Sequence, residues 1–272
     1  MSALSLRFLG LLGGAAFLVQ AAQAQAPVRT AVPLSAAPSE EQSYSKELVF
    51  GVNFNDQGGL LGGVSVRSAR VLDEQWLRFW SLEGVMLRNG KEQRNNTSVG
   101  GSFVFRKSNY AFTLRPSYGI QRVLFRKGPD AGVQVNALLS AGPSIGLLMP
   151  YYIIYDRTAA RTGVINPQKD ELVSEQYDPV KHPTEGAILD RGPLFSGIGQ
   201  TQVVPGFHLR GGFSFEYGRY RDAVTGIEAG FLVEAYTKRI MMLSPPVGSE
   251  TDLLNRKFFP SVYLTLYFGH RS

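Results

Sequence analysis

Three segments near the C-terminus alternate apolar and polar residues almost without error. They are 203–220, 225–241 and 258–268. In the first of them, Phe213 and Phe215 fall on one face, and Ser214 and Glu216 fall on the other. A period of two indicates a β-strand, because successive side chains leave a pleated strand on opposite sides. Alternation over segments of this length predicts an all-β fold, an antiparallel β-barrel that spans a membrane.

The first residues have the features of an export signal. Arg7 precedes a short apolar run at 8–19, and small residues follow at Ala22 and Ala24. This order is typical of a signal peptide, and cleavage is expected after Ala24. The run is short for a membrane-spanning helix, which needs about 20 residues. The predicted organisation is a signal peptide at 1–24, a flexible periplasmic leader at 25–46 and a barrel at 47–269.

The composition excludes several kinds of site. The 272 residues include no cysteine, which excludes disulfides, thiol nucleophiles and thiolate metal sites. The formal net charge is +6, but Lys and Arg are scattered along the chain, so no nucleic acid partner is expected. The acidic residues lack the spacing of a calcium loop, and no cofactor is expected. The most apolar later stretch, 137–154, is interrupted by Pro143 and Pro150, which argues against a transmembrane helix.

From residue 47 onward, strand-like runs are separated by turn signals. The predicted strands are 47–55, 60–70, 75–88, 97–107, 109–125, 131–141, 145–155, 204–220, 224–242 and 256–269. Long and short connections roughly alternate, as expected when outer loops and periplasmic turns lie at opposite ends of a barrel. Ten strands are predicted. Eight is the alternative, because the turn at 142–144 is weak and the first hairpin could lie outside the barrel. Nine would separate the two termini and is rejected.

Two regions depart from simple alternation. The long connection at 156–203 is rich in charged residues, Pro and Gly, and is predicted to be one long outer loop. Local order against the barrel mouth is expected at 174–178 and 190–199. In the third predicted strand, Ser81 and Glu83 share a parity with apolar residues, which predicts a bulge near the middle of that strand.

The two faces of the strands are assigned from the membrane environment. In a membrane barrel the apolar side of each strand faces lipid and the polar side faces the lumen. The expected outward set includes Phe103, Phe105, Phe207, Phe213, Phe215, Phe231, Leu264, Leu266 and Phe268. The expected inward set is Asn53, Ser65, Arg67, Ser102, Arg106, Arg115, Ser117, Gln121, Gln134, Asn136, His208, Arg210, Glu216, Glu228, Glu234 and Lys238.

The inward set carries charges of both signs. The interior of a barrel of eight to ten strands is about wide enough to be filled by its own side chains. The charges are therefore expected to pair and close the lumen, and a narrow polar pore or a small-ligand pocket is the alternative. The predicted lumen network consists of Arg67, Arg115, His208, Arg210, Glu216, Glu228, Glu234 and Lys238.

Catalysis is not expected. A lipid-modifying barrel enzyme would need a serine beside one of the histidines, which are His182, His208 and His270. On one strand, His208 and Ser214 would be roughly 20 Å apart, which is too far for general-base activation. A serine from a neighbouring strand could serve, but no sequence feature indicates one. The alternative of a lipid-modifying enzyme is kept only as a minor one.

Several short segments carry a resemblance that spans most of the chain from residue 47. They are GGLLGG at 58–63, LRPSYG at 114–119, VLFRK at 123–127, GVQVN at 132–136, GPSIG at 142–146, PYY at 150–152, SEQYDP at 174–179 and GFLVEAYTK at 230–238. The chain resembles a family of uncharacterised outer-membrane β-barrel proteins of the Bacteroidota. That resemblance implies an outer-membrane barrel and no established activity, and it assigns no site residues.

The expected role is structural or interaction-based, through the outer loops of a barrel in the bacterial outer membrane. The expected partners are outer-membrane lipid and lipopolysaccharide, together with a protein at the outer loops. Besides the pore and the enzyme, an accessory subunit of an outer-membrane assembly or transport machine is a further alternative.

Overall fold

The computed structural model describes residues 44–56, 59–97, 99–128, 132–165, 171–182, 185–217, 222–245 and 254–272. The predicted signal peptide, and the predicted leader up to residue 43, lie outside the described residues. Across the ranges that are described, no helix is long and apolar enough to cross a membrane.

Strands dominate the described chain. They are β1 (Lys46–Asn55), β2 (Gly59–Val71), β3 (Trp76–Leu87), β4 (Arg94–Asn96), β5 (Ser102–Val104), β6 (Asn109–Phe125), β7 (Gln134–Pro150), β8 (Tyr152–Asp156), β9 (Leu172–Gln176), β10 (Ile188–Arg191), β11 (Gln202–Tyr217), β12 (Ala223–Tyr236) and β13 (Phe258–Arg271). One helix, α1 (Arg157–Thr162), and two short 3₁₀ turns complete the described elements.

Eight of the described strands form a closed antiparallel barrel, in the order β1-β13-β12-β11-β7-β6-β3-β2. The last strand pairs with the first, from Glu47 opposite Arg271 to Asn55 opposite Tyr263, so neither is left as an open edge. The predicted all-β antiparallel barrel is thereby confirmed. Its strand count is eight, the smaller of the two counts that the sequence allowed.

The predicted turn at 142–144 lies inside a continuous strand. β7 runs through Gly142, Pro143 and Ser144, which pair with β11. On its other side, the register places Pro143 opposite Pro116 of β6, within a short gap in the ladder. Neither proline can donate a hydrogen bond, so placing them opposite each other confines the loss to one point. The prediction of two barrel strands separated by a turn at 142–144 was therefore wrong.

The predicted strand at 97–107 is not part of the barrel. Only its residues 102–104 form a strand, β5, which pairs with the preceding β4 in a short hairpin separate from the closed sheet. Phe103 is buried in a cluster outside the barrel, and Phe105 packs against that cluster, so neither belongs to the lipid-facing set. Ser102 and Arg106 likewise lie outside the lumen. This predicted strand is absent from the barrel, and two other predicted strands form the single strand β7. The number of barrel strands is therefore eight instead of ten, and the start of β1 and the end of β13 lie at the same end of the barrel.

The two ends of the barrel differ strongly. The connections at 88–108, 151–201 and 237–257 leave one end, called here the loop end. The shorter connections at 72–75, 126–133 and 218–222 lie at the opposite end, called the turn end. Both described termini meet there, where the amide of Ser45 donates to the carbonyl oxygen of Ser272 at 3.0 Å. Long and short connections are therefore segregated as predicted, except that the connection between β1 and β2, which is also at the loop end, is short.

A folded cap stands at the loop end. β8 is the centre of a three-stranded sheet between β10 and β9, and Ile153 and Ile188 lie in its apolar core. This core also covers Met149 and Tyr110, which are at the loop ends of barrel strands β7 and β6. The long connection, predicted to be loop with short ordered pieces, thus contains three strands, a helix and a core.

The predicted bulge in β3 is absent. Its register is continuous from Leu77 to Val85 against β2 and from Trp76 to Leu87 against β6. Apolar and polar residues share the same parity in β3 for another reason. The inward side of this strand is apolar at both ends and polar at Ser81 and Glu83 in the middle. Bulges occur instead near Asn53 of β1 and near Val123 of β6.

Candidate functional site

The outer surface of the barrel is apolar. Side chains that alternate outward are large and exposed, and Trp80 and Phe231 are 67% and 70% exposed. The same face includes Leu82, Tyr118, Leu139, Phe207, Leu209, Phe213, Phe215, Val262, Leu264, Leu266 and Phe268. An apolar exterior around a polar interior inverts the arrangement of a water-soluble barrel. A closed antiparallel barrel with these faces defines the class of transmembrane β-barrels.

An ion-pair cluster crosses the middle of the lumen. Arg115 donates to Glu234 through Nε at 2.9 Å and Nη2 at 2.8 Å, a two-bond geometry that fixes both side chains. Its Nη1 donates to Glu83 at 3.1 Å. Asn53 also donates to Glu83, at 2.6 Å. These four side chains are buried.

Arg210 links this cluster to a second one. It donates to Glu83 at 3.0 Å and to Glu228 at 2.9 Å, and its guanidinium lies 3.8 Å from the ring centroid of Tyr263. Glu228 also accepts from Arg67 at 2.8 Å and from Tyr263 at 2.9 Å. In the two clusters the charges of three arginines and three glutamates balance, so the core of the lumen carries no net charge.

A third ion-pair cluster lies near the turn end. Arg271 donates to Glu47 at 3.0 Å and to Glu216 at 2.8 Å. Lys127 lies 3.1 Å from Glu216 as a second cation. Two cations and two carboxylates are balanced here as well.

The structure therefore brings Arg67, Arg115, Arg210, Glu216, Glu228 and Glu234 into the lumen, together with His208. It adds Glu83, Glu47 and Arg271, which the sequence analysis missed. Glu83 was obscured because it shares a face with Leu77 and Phe79. The signal that could have identified Glu83 was a charged residue on the mostly apolar face of a long strand.

Lys238 is placed elsewhere. Alternation along the predicted strand 224–242 assigned it to the lumen, but it is exposed beyond the end of β12. β12 ends at Tyr236, and Thr237 still bonds to β11, because its amide donates to the carbonyl oxygen of Pro205. The following segment turns across the mouth of the barrel, where Ile240 and Met242 are buried.

His208 lies between two serines from neighbouring strands. Its Nε2 is 2.8 Å from the hydroxyl oxygen of Ser117, and its Nδ1 is 3.1 Å from that of Ser144. Both serines belong to strands that the single-strand argument did not consider. The ring is 1% exposed, and its two nitrogens are both engaged by hydroxyl groups rather than by a carboxylate.

Apolar side chains close the lumen on either side of the charges. At the loop end, inward residues such as Leu87 and Phe259 pack with Ile240 and Met242 from the connection after β12. Toward the turn end, Leu77 packs with residues from β2, β6 and β7. Between these layers, the cavity bordered by His208 and the arginines has a volume of about 30 Å³. That is room for about one water molecule.

Glycines make room for the aromatic rings that fill the lumen. Gly212 of β11 pairs with Gly230 of β12 beneath Tyr263. A Cβ at Gly212 would stand 2.5 Å from the Tyr263 hydroxyl oxygen, and one at Gly230 would stand 2.2 Å from a backbone oxygen. The missing side chains let Tyr263 lie across the wall and stack on Arg210.

Burial shifts the pKa values of polar groups at the loop end. Burial raises the pKa of Tyr151 to about 12, so its phenol stays neutral and accepts from the amide of Val104 at 3.1 Å. Burial lowers the pKa of Lys107, an effect that Glu92 partly offsets from 2.8 Å. In the described part of the cap and barrel, no group of three or more His, Cys, Asp or Glu side chains could hold a metal ion.

Comparison with known proteins gives a limited result. No family model and no curated protein matches the chain. Solved structures that match include the attachment invasion locus protein Ail of Yersinia pestis (10% identity, TM-score 0.36), the same protein in complex with the heparin analogue sucrose octasulfate (9%, 0.34), and Neisserial surface protein A, NspA (9%, 0.35). Each alignment covers 84% of this chain and 97% of the other. Because the sequence identities and TM-scores are this low, the function of neither protein is assigned to the chain.

Proposed function

We propose that the protein is a bacterial outer-membrane β-barrel with a closed lumen, which holds a folded cap at the cell surface for interaction with a partner. The single observation that carries the proposal is the filled lumen, where paired charges between two apolar layers leave a cavity of about 30 Å³. The apolar outer face supports contact with outer-membrane lipid. The long connections on one end support a surface role, because loops on a rigid scaffold commonly carry binding.

The loop end is assigned to the cell surface by connection length. In outer-membrane barrels the periplasmic turns are short and the extracellular loops are longer. The cap would then meet lipopolysaccharide and any protein partner, and both termini would face the periplasm. Export through a signal peptide cleaved after Ala24, and membership of the Bacteroidota family, belong to the same proposal.

Single-channel recording in planar bilayers tests the closed lumen. The refolded protein first has to show a heat-dependent shift in gel mobility, which demonstrates that the barrel has formed. We expect no discrete openings, because paired charges and two apolar clusters fill the described interior and leave a cavity of about 30 Å³. Reproducible openings whose conductance changes when Arg115, Arg210 or Glu228 is neutralised would instead establish a narrow pore.

The Ser117–His208 pair makes a lipid-modifying enzyme the second candidate. Against it, the pair is buried and the adjacent cavity has no room for an acyl chain or a sugar. Expression of the wild-type protein and of His208→Ala in an outer-membrane host, followed by mass spectrometry of lipid A and phospholipids, decides the matter. We expect identical lipid profiles, and a modification lost only in the variant would contradict the non-catalytic role.

A partner at the cap is tested by crosslinking in cells. Photocrosslinking residues placed at exposed cap positions, such as Val180, should capture a partner that the same residue at Phe213 does not. Crosslinks that concentrate on the barrel wall would indicate an accessory subunit whose lipid-facing side is covered by a larger machine.

A further inference from the structure

A second, larger cavity lies at the loop end, outside the lumen. Its volume is about 310 Å³, which is at the lower end of the range for small-molecule sites. Three separate parts of the chain form its walls, namely the connection after β3, the cap and the connection after β12. The lining residues are Lys91, Gln93, Asn95, Phe105, Arg106, Glu185, Leu243, Ser244 and Leu254.

Arg106 has an unusual backbone in this wall. Its φ is 63°, and among the described residues it is the only one other than glycine with a positive φ. Two contacts with Ser244 hold it there, since the amide of Ser244 donates to the Arg106 carbonyl oxygen at 2.8 Å and Arg106 Nε donates to the Ser244 carbonyl oxygen at 3.2 Å. Residues held in a sparsely populated backbone conformation cluster at ligand sites.

The guanidinium of Arg106 is incompletely satisfied. Its Nη2 is buried and has no hydrogen-bond partner among the described residues. A guanidinium presents its donors in a planar fork that matches a carboxylate or a phosphate. Glu185, the acidic residue among the lining residues, already accepts from Asn95 at 2.7 Å.

The rest of the lining is suited to a sugar. Gln93, Asn95 and Ser244 supply amide and hydroxyl groups, and Phe105 supplies an aromatic side chain. Amides and hydroxyls can donate to and accept from sugar hydroxyls, while an aromatic face packs against the apolar side of a sugar ring. The guanidinium fork of Arg106 beside such a surface, with Lys91 also in the lining, fits a monosaccharide that bears an acidic group.

We propose that this cavity binds an anionic sugar unit, with its carboxylate or phosphate on Arg106. The proposal rests on the proposed function in placing the loop end at the cell surface, where such a unit could come from a soluble sugar or from the headgroup of a glycolipid. Anionic sugars are thus the class of ligand proposed for the cavity at the loop end.

Binding is tested by calorimetry on the full chain in phosphatidylcholine nanodiscs, with glucuronate and glucose 6-phosphate as probes and neutral glucose as the comparison. We expect both acidic sugars to bind at least about tenfold more tightly than glucose, a difference of about 1.4 kcal/mol. Failure of both acidic sugars to bind, or equal binding of glucose, would overturn the proposal.

Variants of Arg106 distinguish a loss of sugar binding from a loss of folding. Arg106→Gln should weaken the acidic sugars by at least about tenfold, and Arg106→Lys should weaken them less, because the charge remains while the fork is lost. The matched control is Arg161→Gln, which replaces an exposed arginine of α1 that pairs with exposed Glu171. Unchanged affinity in a folded Arg106→Gln barrel, shown by the gel shift, would refute the assignment.

Nanodiscs that contain lipopolysaccharide show whether the sugar is soluble or part of a glycolipid. If a glycolipid headgroup fills the cavity, nanodiscs containing lipopolysaccharide should reduce binding of glucose 6-phosphate, and Arg106→Gln should remove the competition. Unchanged binding would indicate a soluble sugar, and either result supports the site. A closed, folded barrel that binds no acidic sugar would refute this inference alone, whereas conducting openings would refute the closed lumen alone.

Discussion

At the scale of single residues, the Arg115–Glu234 pair is the most sensitive point of the lumen. Both side chains are buried, and Glu234 occupies two of the donors of Arg115. Replacing Glu234 with Ala leaves a buried guanidinium with only Glu83, which is expected to cost about 3–5 kcal/mol of unfolding free energy. Urea unfolding of the protein in lipid vesicles, followed by tryptophan fluorescence, measures the loss.

A double replacement distinguishes an unpaired charge from lost packing. Arg115→Met together with Glu234→Leu removes both charges and should recover a large part of the loss, because buried ion pairs are often replaceable by apolar groups of similar volume. If the double variant were as unstable as the sum of its parts, packing rather than the unpaired charge would explain the effect.

Phe213 tests the lipid-facing side at the same scale. It lies in the second half of β11, opposite Ala229 near the middle of β12, and alternates outward. Phe213→Arg should cost about 2–4 kcal/mol in a bilayer, the range for an arginine facing lipid near the midplane. Val180→Arg is the matched control, because Val180 is exposed on the cap and its replacement should leave the unfolding midpoint unchanged. A tolerated Phe213→Arg would mean that this face does not meet lipid.

At the scale of elements, the cap and the barrel are expected to unfold separately. The cap has its own apolar core around Ile153, while the barrel is closed by its own hydrogen-bonded ladder. Ile153→Asp places a charge in that core and should expose the cap to trypsin at Arg157 and Arg161. The barrel should still show its heat-dependent gel shift. Loss of the gel shift as well would show that barrel formation depends on the cap.

At the scale of the whole molecule, electrostatic stability is expected to be insensitive to salt. The lumen clusters are balanced and buried between apolar layers, and buried pairs are screened far less than exposed ones. The urea midpoint should therefore change little between low salt and about 1 M NaCl, where the screening length falls to about 3 Å. A steep fall with salt would show that the lumen is hydrated and open to ions.

The fold class and the two faces of the barrel wall could be predicted from the sequence alone. Alternation requires only local geometry, so Phe213 could be assigned outward and Glu216 inward without any knowledge of the neighbouring strands. The same local rule failed where neighbours decide the outcome. Pro143 was predicted to mark a turn, but it lies inside a strand, opposite Pro116 of the neighbouring strand. Glu83 was not assigned to the lumen, because the arginines that pair with it belong to two other strands.

The strand count, the serines beside His208, the cap and the cavity at Arg106 became known from the three-dimensional structure. Each of these depends on residues far apart in the chain that meet because the barrel closes. Arg106 illustrates the physical reason, since its backbone is held by Ser244 across 138 positions of sequence. Side-chain parity repeats every two residues and is visible locally, whereas ring closure and loop packing depend on long-range contacts that no short pattern encodes.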